Sequence, residues 1–181
     1  MGESVTFTDA DRAVVLLIDA HPDVLHSLTQ LLRLEPFDLY SATCAADALA
    51  ILASQPIDLV MSAARLPDMD GASLLAHIHQ HYPHTVRILL TGETDLTLIV
   101  KAINEGEIYR YLSKPWNDEE LLLALRQSLA HQHSERERLR LEQLTRQQND
   151  ELKRLNASLE KHVAARTSEL QQTADMLDLA Y

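Results

Sequence analysis

The chain is poor in the residues that usually punctuate or cross-link a fold. Of its 181 residues one is cysteine, four are glycine and six are proline. A single cysteine, Cys44, rules out an internal disulfide and fits a reducing, cytoplasmic setting; packing within a helix is its expected role. No apolar run reaches the roughly 18 residues of a membrane span. The run Ala13 to Ile18 also lacks the basic flank and cleavage site of a signal peptide, so no membrane association is expected. Positive charge is scarce as well, with 16 basic against 27 acidic residues and a net charge of −11. Residues 1–115 carry 7 basic and 15 acidic side chains (−8), and residues 116–181 carry 9 and 12 (−3). Neither part offers the basic field that nucleic acid demands. The short run Arg136, Arg138 and Arg140 alternates with Glu135 and Glu137, as on a solvated helix face.

The missing residues also mark a boundary. Every proline and glycine lies at or before Pro115. From there on nothing interrupts a helix, whereas the first part is regularly broken. The expected division is a tail over 1–12, a domain over 13–130 and a helical extension over 131–181.

Within the first part, apolar runs alternate with amphipathic stretches. Strands are expected at Val14–Ile18, Asp38–Ser41, Ile57–Ser62, Val86–Thr91 and Ile108–Leu112. Helices are expected at Pro22–Leu34, Ala45–Ser54, Ala72–His81 and Leu96–Asn104, the last closed by Gly106 as a left-handed cap. Five such units imply a doubly wound, flavodoxin-like α/β domain with a parallel sheet.

Asn117 can cap the next helix, with Glu120 at the capping-box position and acids in the first turn. Beyond Arg138 its apolar residues become sparse but periodic. Leu141, Leu144, Gln148, Leu152, Leu155, Leu159, Val163, Arg166, Leu170, Thr173, Leu177 and Ala180 follow at steps of three or four. Two eleven-residue units precede heptads, the pattern of a coiled coil that starts nearly straight and turns left-handed. So narrow a seam needs a partner, and a parallel homodimer is the simplest. The alternative is a single solvated helix lying on the domain.

The domain centres on Ile57 to Gly71, a buried strand running into turn residues Pro67, Asp68, Asp70 and Gly71. In such sheets, reacting groups gather beyond the carboxyl ends of strands. Ala63 falls there and can neither attack nor coordinate.

Several stretches together resemble the receiver domain of bacterial two-component response regulators, over about residues 13–130. They are Val15-Leu16-Leu17-Ile18-Asp19, Asp58-Leu59-Val60, Leu66-Pro67-Asp68-Met69-Asp70-Gly71, Leu89-Leu90-Thr91-Gly92 and Tyr111-Leu112-Ser113-Lys114-Pro115. The resemblance implies an aspartate that accepts a phosphoryl group, Mg²⁺ on neighbouring acids, a hydroxyl and a lysine on the phosphoryl oxygens, and a cis-prolyl peptide after the lysine. The acceptor position falls on Ala63, the second acid of the metal pair on Ala20, and His21 follows where another acid is common. Asp19, Thr91 and Lys114 remain, with Asp19 the natural partner of Lys114.

Substitutes for the missing acceptor are poor. Ser62 should point away from the face of Ala63, since strand side chains alternate. Asp58 lies about 16 Å back along the strand at ~3.3 Å per residue. Asp68 and Asp70 would need their loop to fold back. The expectation is therefore no phosphorylation, no metal, no cofactor and no enzymatic activity. Losing two mutually repelling carboxylates should also favour the metal-free fold.

His77, His79, His81 and His84 form a second cluster, with His77 and His81 on one helical face at a spacing that can bind a transition metal. No neighbouring acid or cysteine completes a site, and a polar outer face is expected. His131 and His133 should face different directions.

The spelling Ile108-Tyr109-Arg110-Tyr111-Leu112-Ser113-Lys114-Pro115-Trp116 resembles receivers joined to HD-GYP cyclic-di-GMP phosphodiesterases and those of hydrogenase-type transcriptional regulators. Leu155–Glu160 and Val163–Leu170 resemble the signalling helix that leads to such outputs. Two readings follow. The chain is a phosphorylation-independent receiver that dimerises through its coiled coil and relays contacts with a kinase or output domain. Alternatively it is the regulatory part of an HD-GYP phosphodiesterase or similar enzyme, with catalysis on residues beyond Tyr181. Family analogy places the signalling surface around Leu96, Ile99, Lys101, Tyr109 and Tyr111.

Overall fold

A computed structural model describes residues 12–92, 96–104 and 108–180. The side chains of Leu98 and Lys101, and Gly106 with its expected cap, lie outside the described residues. Five strands alternate with helices: β1 (Ala13–Ile18), α1 (Pro22–Leu32), β2 (Phe37–Ala42), α2 (Ala45–Ser54), β3 (Leu59–Ala63), α3 (Gly71–His81), β4 (Val86–Thr91), α4 (Leu96–Asn104), β5 (Arg110–Ser113) and α5 (Asp118–Leu179). The strands form one parallel sheet in the order β2-β1-β3-β4-β5. This is the flavodoxin-like arrangement expected, and its order reverses between β1 and β3. A cleft at the carboxyl edge opens at such a reversal.

Strand alternation explains the two cores. Leu16, Ile18, Val60 and Leu89 pack with α2, α3 and α4 residues such as Ala48, Leu52, Leu74, Ile78 and Ile99. Val15, Leu17, Leu59, Met61, Ile88 and Leu90 pack with Leu25, Leu28 and Leu32 of α1 and Leu121 and Leu125 of α5. The central strands are apolar on both faces because both are covered. Leu17 is fully buried, and truncating such a leucine to alanine costs about 2–5 kcal/mol.

Some expected boundaries shift. The third strand begins at Leu59 instead of Ile57, because Asp58 forms the rim: its carboxylate accepts from the Val14 N–H at 2.9 Å. The fifth begins at Arg110 instead of Ile108, where pairing with Ile88 starts. Cys44 is not inside a helix; it is the half-buried residue preceding α2. Arg12 does not belong to a tail, since it bonds the Asp38 carboxylate at 2.8 Å and the Phe37 carbonyl at 2.9 Å.

The chain divides into two units, one ending at His133 and one starting at Ser134. The first reaches past residue 130 because the Gln132 amide donates to the carbonyls of Asp58, at 3.1 Å, and His84. His131 stacks on Tyr109 with ring centroids 5.7 Å apart. In the second unit the seam is open to solvent in the single chain: Leu152 is 62%, Leu155 55%, Leu159 62%, Val163 57%, Leu170 71% and Leu177 59% exposed. No described helix is long and apolar enough to cross a membrane.

Candidate functional site

The sheet register assembles the site. Ile18 lies opposite Ser62, Ala63 opposite Leu90 and Thr91 opposite Ser113. Asp19, Ala63, Thr91 and Lys114 therefore meet at the carboxyl edge of β1, β3, β4 and β5. Lys114 N–H donates to the Thr91 carbonyl at 2.7 Å, and the Lys114–Pro115 peptide is cis.

The centre of the site is the Asp19 carboxylate, whose side chain is 1% exposed. One oxygen, Oδ2, accepts from Lys114 Nζ. The other, Oδ1, accepts the His21 backbone N–H at 2.9 Å and lies 3.0 Å from His21 Nδ1. Burial pushes this carboxyl up, but the Lys114 ammonium and the His21 backbone and ring outweigh it, holding it below its ordinary value. A buried carboxylate held by an ammonium, a backbone N–H and a ring nitrogen is a satisfied structural ion.

Ala63 is 4% exposed and presents only a methyl group at the position where the resemblance places the acceptor. Ser62 is wholly buried on the opposite face, its hydroxyl donating to the Ala63 carbonyl at 3.0 Å. Thr91 is buried and its hydroxyl donates to the Gly92 carbonyl at 3.0 Å.

The nearby loop acids have other duties, which spacing alone had not shown. Asp68 accepts from the Ala45 and Ala46 N–H groups at 2.9 and 2.8 Å, and so caps α2, whose own Cys44 makes no side-chain cap bond. These two N–H donors hold the Asp68 carboxyl below its ordinary value. Asp70 caps α3, accepting from the Ser73 N–H and hydroxyl at 2.7 Å each. The Asp70-Gly71-Ala72-Ser73 stretch at the start of α3 is a local signal for its cap, whereas Asp68 lies far in sequence from the helix it caps. Gly71, directly after Asp70, is required there: an added Cβ would lie 1.9 Å from the Ala63 carbonyl oxygen.

The Mg²⁺ that the receiver fold implies finds no adequate donor set. It wants several oxygens in octahedral geometry. Among the described residues Asp19 is the carboxylate at this edge, its oxygens engaged by Lys114 and His21, and the positions where the resemblance places the other acids hold Ala20 and Ala63. No group of three or more His, Cys, Asp or Glu able to hold a metal occurs among the described residues. His77 and His81 do share a face, with ring centroids 4.1 Å apart, and His81 Nδ1 is 2.9 Å from the His77 carbonyl.

The expected signalling residues separate. Tyr109 and Tyr111 are 45% and 48% exposed, and Leu96 68%. Ile99 does not belong to that surface: it is 7% exposed and packs in the core. On α4 the outward stripe is Leu96, Val100 and Ile103, while Ile99 and Ala102 face inward.

Fold, edge cluster and cis peptide together define a receiver. The chain matches the response regulator receiver domain over residues 15–126, and it belongs to that family. Among solved structures it is similar to the signal receiver domain of an HD domain-containing protein from Pseudomonas fluorescens Pf-5, at 63% identity and TM-score 0.66, covering 68% of this chain and 98% of that one. A CheY-like receiver domain protein from Methanospirillum hungatei JF-1 is 30% identical with TM-score 0.66, covering 69% and 99%. The hydrogenase transcriptional regulatory protein HoxA of Cupriavidus necator is 31% identical over 121 residues, 67% of this chain and 25% of that protein. The chain thus spans about a quarter of the length of such curated relatives.

Proposed function

We propose that this chain is a phosphorylation-independent receiver that signals through protein contacts and dimerises through its C-terminal helix. The observation that carries this reading is the edge cluster: Ala63 stands at the acceptor position while Lys114 is engaged by Asp19. With no nucleophile at that position and no metal-holding group among the described residues, neither of the events that normally switch such a domain is available.

The second half of the reading rests on the seam. Six apolar residues from Leu152 to Leu177, each more than half exposed, repeat at coiled-coil steps. A second copy in parallel would bury them knob into hole. The exposed Tyr109, Tyr111 and Leu96 form the surface for a kinase or output domain, with Lys101 on the same helix. Tyr109 stacks on His131, at the end of the receiver unit.

Likeness to the receiver of an HD domain-containing protein favours a second reading. There this chain is the regulatory part of a cyclic-di-GMP phosphodiesterase of HD-GYP type or a related output enzyme. The two readings are compatible in mechanism.

Sedimentation of the chain with and without Mg²⁺ and beryllium fluoride, a phosphoryl mimic, tests the proposal. A dimer whose mass and affinity ignore the mimic is expected. A monomer in both conditions, or a dimer that forms only with the mimic, refutes it.

A further inference from the structure

We propose that His21 and Lys114 take the place of the metal ion in this pocket, so that the site is self-neutralised and rejects divalent cations. The inference rests on the degenerate-receiver reading above and assigns its pocket a resident counter-ion.

Three observations carry it. First, the Asp19 side chain is 1% exposed, so its charge needs compensation within the protein. Second, the compensation is complete without an ion: Oδ2 has Lys114, and Oδ1 has both the backbone N–H and the ring Nδ1 of His21. Third, the ring is 77% exposed although it reaches inward to the carboxylate. An apolar residue at 21 would leave only the backbone donor on Oδ1, and an acid would face Asp19 with like charge.

The substitutions are mutually consistent. Losing carboxylates at 20 and 63 removes the oxygens that would complete a cation site. Placing an imidazole at 21 puts a nitrogen donor where a metal would need a lone pair. A hard cation would have to displace the ammonium and the ring together to reach one carboxylate, a poor exchange for Mg²⁺ or Mn²⁺. For the bond to form with a neutral ring, Nδ1 must carry the proton, which fixes the tautomer. His21 is thus a positioning residue: it holds Asp19, and through Asp19 the Lys114 ammonium across the carboxyl ends of β1 and β5.

NMR on the full chain tests this. The His21 ring is expected as the Nδ1-protonated tautomer. Stoichiometric Mn²⁺ is expected to leave the signals of Asp19, Ala20, Ala63 and Lys114 unbroadened. The variant His21→Glu is expected to become metal-responsive, with those signals broadened and a Tm that rises by about 5 °C at roughly tenfold the Kd of Mn²⁺. An Nε2-protonated ring with a bare Nδ1, or localised Mn²⁺ broadening in the unmodified chain, overturns the proposal. These two readouts decide it even where His21→Glu does not fold; a folded His21→Glu that ignores Mn²⁺ also counts against it. A phosphodonor adduct would sink the underlying reading instead. Mn²⁺ at Asp19 without any adduct would sink only this one.

Discussion

Removing the Lys114 ammonium probes the buried cluster most sharply. In Lys114→Met the stem length is kept and the charge is lost, leaving a carboxylate that is 1% exposed with only its His21 contacts. Breaking a buried pair costs roughly 3–5 kcal/mol. Here the lysine is 26% exposed and Oδ1 keeps its donors, so about 2–3 kcal/mol is expected. For a domain of this size that lowers Tm by roughly 8–12 °C. The pH dependence gives a second check. The folded Asp19 carboxyl lies below its ordinary value of 3.8. Its stabilisation is therefore complete above that value and is lost as pH falls through the lower folded value. Calorimetry should show a gap between wild type and variant that is full near neutral pH. The gap narrows as the variant's unpaired carboxyl takes up a proton on acidification, and closes as pH falls through the lowered wild-type value. A variant melting within about 1 °C of wild type at neutral pH, or a gap unchanged in strong acid, would refute the reasoning.

Other outcomes follow from the same contacts. Gly71→Ala places a Cβ 1.9 Å from the Ala63 carbonyl oxygen; chemical denaturation should show a loss of about 3 kcal/mol or an unfolded chain, and a neutral effect would contradict the close approach. Leu155→Glu with Leu159→Glu puts four charges into the seam of a dimer; sedimentation should give a monomer, and an unchanged dimer would refute the seam. Ala20→Asp with Ala63→Asp puts acids at the two positions where the proposed reading finds them lost, beside Asp19, Thr91 and Lys114. This double variant is expected to bind Mn²⁺ and take a hydroxylamine-labile phosphoryl group, and a folded variant that does neither would show that more than those acids has been lost.

The architecture was legible because β1, β3 and β4 are apolar on both faces and bounded by turn residues, a pattern that buried parallel strands produce directly. The Asp19–Lys114 partnership was expected from the resemblance to a receiver, which left Asp19 as the one acid at the positions around the lysine, and Lys114 Nζ does donate to Asp19. What escaped were choices made in three dimensions. Asp68 caps a helix more than twenty residues earlier in the chain, and its local spelling could not name that helix. Ile99 was placed on the surface by analogy, yet it lies with Ala102 on the buried side of α4 and packs in the core. His21 looked like a missing acid; its role as a donor to Asp19 follows from the backbone turning after β1 so that N–H and ring reach the same oxygen.

The central claim is that the acceptor position holds nothing able to accept. Intact-mass measurement of the unmodified chain after incubation with acetyl phosphate and Mg²⁺ addresses it directly. An unchanged mass is expected under conditions that label an intact receiver in the same tube. A hydroxylamine-labile phosphoryl adduct on any aspartate of this chain would contradict it.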